Sequence, residues 1–74
     1  MKSPVKLFDT VALTQSLPEY HLSKGQVGTV VDILSDGDAF EVEFCDRKGH
    51  TIESLGLRPD QIMVLHYEPV KENK

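Results

Sequence analysis

Few side chains in this chain carry chemistry, and their spacing decides most of what they can do. Cys45 is the single cysteine, and His21, His50 and His66 fall in three separate stretches. A zinc site needs three or four nitrogen or sulfur donors. No pair of these residues has the short spacing that makes two ligands converge, so solvated surface histidines are expected, and no metal. Cys45 and His50, across the run Asp46-Arg47-Lys48-Gly49, can be drawn as a nucleophile and its base. A reactive thiolate, however, needs a helix N-terminus or a cluster of cations to lower its pKa, and the end of a strand supplies neither. Cys45 is therefore expected as a small, partly buried apolar residue.

The carboxylates say more. Asp32, Asp36, Asp38, Glu41, Glu43 and Asp46 put six acids into fifteen residues with no base among them. A calcium loop of the EF-hand kind wants glycine at its sixth position and glutamate at its twelfth. Here Gly37 follows Asp36 directly, and Phe40 and Val42 have the look of core residues. The bland reading is a hairpin turn leading into the wet face of a strand. The functional reading is a concentrated negative field that steers a basic protein partner. No Gly-x-Gly-x-x-Gly or Gly-Lys-Ser/Thr run is present, so no nucleotide and no other cofactor is expected. A second feature is the loop Ser16-Leu17-Pro18-Glu19-Tyr20-His21-Leu22, which offers apolar and aromatic groups in an irregular segment, where binding residues concentrate. Tyr20 is its best candidate anchor, flanked by Glu19 and His21. Leu17 and Leu22 either share that role or close one end of the core.

The elements that must hold these residues are strands. Phe40, Val42 and Phe44 alternate with Glu41 and Glu43, the period of a half-buried strand over Ala39 to Phe44. Gln26 to Leu34 reads as a longer strand, rich in Val27, Thr29, Val30, Val31 and Ile33. Ser35-Asp36-Gly37-Asp38 between them is a tight hairpin signal, since Asp-Gly accepts positive φ. Asp9 to Thr14, Thr51 to Leu57 and Ile62 to Leu65 complete a set of five. Pro59, in Arg58-Pro59-Asp60-Gln61, favours one 3-10 turn before the last strand. Five short strands cannot leave an apolar face open, so the expectation is an all-β, SH3-like barrel over residues 7–65. Residues 1–6 are an extension and 66–74 a flexible polar tail. The expected core is Val11, Leu13, Val27, Val30, Val31, Ile33, Phe40, Val42, Phe44, Leu55, Leu57 and Ile62. Gly28 and Gly56, inside strands, mark a sharp bend or a close approach.

Composition narrows the function. Seventy-four residues with twelve acids, eight bases and 39% apolar content describe one small acidic domain. The net charge of −4 argues against nucleic acid and against an anionic membrane surface. The apolar runs Val11 to Leu13 and Ile62 to Leu65 are far below the ~20 residues that span a bilayer. Asp9 interrupts any signal-peptide core, and one unpaired cysteine suits the reducing cytoplasm.

Three runs carry a family resemblance: Leu7-Phe8-Asp9-Thr10-Val11-Ala12-Leu13-Thr14, Leu17-Pro18-Glu19-Tyr20, and Lys24-Gly25-Gln26-Val27-Gly28-Thr29-Val30-Val31. With Phe40-Glu41-Val42-Glu43-Phe44, they resemble a small bacterial family of unknown function over roughly Leu7 to Leu65. The run from Lys24 to Val31 is also similar to the strand-opening motif of KOW-type domains, CAP-Gly domains and the barrel of the nitrile hydratase β subunit. The last of these has a Leu-Pro-x-Tyr loop before its glycine turn as well. The chain lacks the tryptophan and the Gly-Lys-Asn-Asp-Gly run of a CAP-Gly domain, and the basic charge of an RNA-binding KOW domain. The resemblance implies a barrel, a fold that hosts many functions. The functional expectation is a noncatalytic module that binds a protein with a basic surface through Glu19, Tyr20, His21, Asp36, Asp38, Glu41 and Glu43. An antitoxin-like neutraliser, an accessory subunit of a larger enzyme and a minimal enzyme are the alternatives.

Overall fold

Alternation of apolar and polar side chains, punctuated by glycine and proline, gives five strands in the computed structural model, which describes residues 5–66. They are β1 (Thr10–Leu13), β2 (Val27–Leu34), β3 (Ala39–Cys45), β4 (Thr51–Leu57) and β5 (Ile62–Val64). All pair antiparallel in one sheet, in the order β4-β3-β2-β1-β5. The expected all-β architecture holds, with each strand within a residue or two of its expected ends. A 3-10 turn at Pro59–Gln61 precedes β5 as expected, and two more lie at Pro18–Tyr20 and Ser35–Gly37. The turn between β2 and β3 uses left-handed backbone, with φ of 57° at Asp36 and 100° at Gly37. Short polar side chains and glycine tolerate that region best. Ser35, at φ 51°, extends it by a residue that the Asp-Gly signal did not include.

The core takes one face of each strand. Val11, Leu13, Val30, Phe40, Val42, Phe44, Leu57 and Ile62 are buried there, joined by Leu17 and Leu22 from the loop after β1. Leu55 is half-buried and packs against this cluster, as does Val5 from the N-terminal extension. The remaining residues of that extension, 1–4, and the expected tail from 67 onward lie outside the described residues.

Three expected core residues are not in the core: Val27 is 48% exposed, Val31 37% and Ile33 42%. The cause is the register of β2. Its inward positions are Gly28 and Val30, which puts Val27 on the opposite face. Val31 is the extra residue of a bulge, since Val30 pairs with Val42 and Asp32 with Glu41. Beyond the bulge Ile33 lies opposite Phe40, yet the β1–β2 ladder ends at Thr10–Thr29, so its flank is open. β-Branched residues thus mark β2 as a strand without marking its buried face.

Gly28 fulfils the expectation of a close approach. A Cβ there would lie 2.8 Å from two ring carbons of Phe44 and 2.8 Å from a methyl of Val42. At Gly56 the nearest atom to such a Cβ is Leu34 Cδ1 at 3.5 Å, an ordinary contact. The close-approach reading is therefore corrected at that position.

Candidate functional site

The loop after β1 is built before it can bind anything. Leu17 and Leu22 exchange backbone hydrogen bonds: the N–H of Leu17 donates to Leu22 at 2.8 Å, and the return bond is 3.2 Å. Both side chains are buried, so they close one end of the core. Between them, Pro18 opens a 3-10 turn that ends at His21, whose φ of 60° reverses the chain. The Tyr20 N–H donates to Leu17 at 3.0 Å and that of His21 to Pro18 at 3.1 Å. The turn holds Glu19 and Tyr20 outward, with Tyr20 40% exposed.

Opposite it stands the end of β4 and the turn that follows. The Arg58 N–H donates to Oε1 of Gln61 at 2.8 Å, and the Gln61 N–H returns to the Arg58 carbonyl at 3.0 Å. Thr14 ties this turn to the end of β1, with its N–H on the Gln61 carbonyl at 2.9 Å and its hydroxyl on that of Asp60 at 2.8 Å. Arg58 is ion-paired to Asp60 at 3.0 Å. Between loop and turn runs a groove of about 440 Å³, lined by Gln15, Leu17, Glu19, Tyr20, Leu55, Gly56, Leu57, Arg58 and Gln61.

Gly56 connects this groove to the acidic hairpin. It pairs with Glu41 on β3, and Glu41 Oε1 lies 3.9 Å from where a Gly56 Cβ would stand. The other oxygen of Glu41 accepts the Ser54 hydroxyl at 2.7 Å, which fixes the carboxylate on that side of the sheet. Leu34, the last residue before the hairpin turn, borders the same glycine. Glu41 is thereby brought beside the groove that Glu19 and Tyr20 line.

The other expected site residues are not. His21 is exposed beyond the far end of its turn and does not line the groove. Glu43 pairs with Ser54, two positions further along β4, and accepts the Thr51 hydroxyl at 3.0 Å. Asp36 and Asp38 are exposed at the hairpin tip and do not line the groove. Gly56, Arg58 and Gln61 are the residues that sequence reasoning left out. A glycine inside a strand was a usable signal for the first. A glutamine three residues after Arg58, the spacing of a capping side chain, was one for the last.

The far end of the sheet is organised around Asp46. Its carboxylate accepts the N–H of His50 at 2.9 Å and of Lys48 at 2.8 Å, with His50 Nδ1 3.4 Å away. The His50 N–H above all holds its pKa below the usual carboxylate value; desolvation opposes it, and the Lys48 N–H adds to the lowering. Cys45, expected as partly buried, is exposed, because it follows the last core position of β3 and the register shifts between it and Phe44. Among the described residues, no three His, Cys, Asp or Glu side chains are grouped to hold a metal, and no helix is long and apolar enough to cross a membrane.

No curated relative and no solved structure matches the chain. A family model does: that of DUF4926, a domain of unknown function, covers residues 7–64, and the chain belongs to that family.

Proposed function

We propose that this chain is a noncatalytic protein-binding module of the bacterial cytoplasm, built as an SH3-like barrel, which docks a basic surface of a partner protein. The barrel reading is supported by the strand order, the long loop between β1 and β2, and the 3-10 turn before β5. The binding reading rests on one observation. Glu19 and Tyr20 line a groove that also takes in Gly56, and the Glu41 carboxylate stands beside that glycine, so the aromatic candidate and two acidic candidates lie at or next to one groove. An aromatic anchor supplies contact area, and carboxylates speed encounter with a basic partner.

The test is association kinetics against the protein that co-purifies from native extract, at 0.1 M and 1 M salt. The Debye length falls between these from about 10 Å to about 3 Å. The on-rate should drop with salt and with Glu41→Gln, while Tyr20→Ala should act mainly on the off-rate. Kinetics indifferent to salt and to both substitutions contradict the proposal.

A further inference from the structure

One polar group in the groove has no use in the fold. Gln61 is only 9% exposed and lines the groove floor. Its Oε1 accepts the Arg58 N–H at 2.8 Å. A backbone N–H can only donate, so the amide oxygen must face it and the NH2 must point the other way. Among the described residues nothing accepts from that NH2, yet no buried polar side-chain atom is sealed off without a partner. Gln61 lines the groove and is largely buried, so its NH2 is an accessible donor there without a protein acceptor.

The charges around it decide which acceptor. Arg58 is already paired with Asp60 at 3.0 Å. Glu19 has no ion pair among the described residues, and Glu41 meets only the neutral Ser54 hydroxyl, at 2.7 Å. The unpaired charges are thus negative, Glu19 in the groove and Glu41 beside its Gly56, which disfavours a carboxylate or phosphate and favours a neutral oxygen flanked by cations. Tyr20 and the half-buried Leu55 also line this mostly polar groove. An extended peptide presents these features together, with main-chain carbonyls, lysine or arginine side chains, and apolar side chains between them.

We infer that the groove holds an extended basic peptide segment, with the Gln61 NH2 donating to a main-chain carbonyl and Glu19 and Glu41 taking the flanking cations. This inference rests on the protein-binding reading above and names its ligand. Gln61 acts as a reader of the main chain, separate from the charge that attracts the partner.

The test uses the full 15N-labelled chain and two pools of blocked pentapeptides. One pool has lysine at the second and fourth positions and the other has glutamate there, with the remaining positions varied. The lysine pool should shift the backbone amides of Glu19, Tyr20 and Gly56 and move the Gln61 side-chain NH2 protons downfield, while the glutamate pool leaves them in place. Groove shifts with an unmoved Gln61 NH2 overturn this inference and leave the protein-binding reading standing. No groove shift with the lysine pool overturns both. Equal shifts with the glutamate pool overturn the choice of a basic ligand. Gln61→Glu keeps an oxygen for the Arg58 N–H but loses the donor. Compared at 1 M salt, where its added charge is screened, it should bind the lysine pool about tenfold more weakly. Undiminished affinity overturns the role of the donor.

Discussion

Gly28 and Gly56 look alike in the sequence, each a lone glycine inside a strand, yet their surroundings in the molecule differ. Gly28 is buried, and the ring of Phe44 occupies the space a side chain would need, at 2.8 Å. Gly56 is exposed, and its missing side chain leaves room beside Leu34 and Glu41. One absence is filled by the protein itself. The other is left open, at the junction of the two loops that carry the candidate binding residues. A glycine in a strand reports that a side chain is unwelcome there, and only the neighbours say whether the fold or a ligand wants the space.

The comparison can be broken hardest at Phe44, which fills the Gly28 space. Phe44→Ala should cost about 3–5 kcal/mol, enough to unfold a domain that holds only about 5 kcal/mol of stability. Urea denaturation reads this directly, and a near wild-type midpoint would refute the packing described here. Gly28→Val comes next. It raises strand propensity, yet it should destabilise by about 1–3 kcal/mol, because ring and methyl must move within a filled core. A higher melting temperature for this variant would show that the contact is slack.

A smaller effect is expected at Asp46, remote from both glycines. Its folded pKa is lowered by the His50 N–H first and the Lys48 N–H after it. The stabilisation is therefore present above the ordinary carboxylate pKa of about 3.9, and is lost as pH falls through the lower folded value. Asp46→Asn should flatten this acid limb of the stability curve and leave the groove's peptide binding unchanged. Denaturation midpoints at neutral and acid pH, with and without the substitution, check the sign.

Much of the fold was legible because period and punctuation agree. Phe40-Glu41-Val42-Glu43-Phe44 alternates without exception, and each apolar member is buried. Asp36-Gly37 marks the hairpin turn, and Pro59 the 3-10 turn before β5. Period failed in β2, where Val27, Val31 and Ile33 have the right chemistry for a core but the wrong register or a missing neighbour. A bulge shifts the phase by one residue, and no local signal announces it. The candidate site was legible in pieces. Glu19, Tyr20 and Glu41 could be chosen by type, and Gly56 by oddity. Their meeting depends on strand pairing between segments more than thirty residues apart in one case, which residue types alone do not specify. His21 and Glu43 share the chemistry of the site residues and miss the groove through a turn reversal and a two-residue displacement along β4.

Substitution at Gly56 has the smallest expected effect on stability and tests the central claim most directly. A Cβ there meets only the flexible end of Leu34 and a carboxylate oxygen of Glu41. Gly56→Val should therefore melt close to wild type, within about 1 kcal/mol of its stability, helped by its strand propensity. The same side chain is added at a residue that lines the groove, beside Glu41, and calorimetric titration with the lysine pool should show binding lost. A variant that folds normally and binds as tightly as wild type would contradict the account, because the groove over Gly56 would then not be where a partner docks.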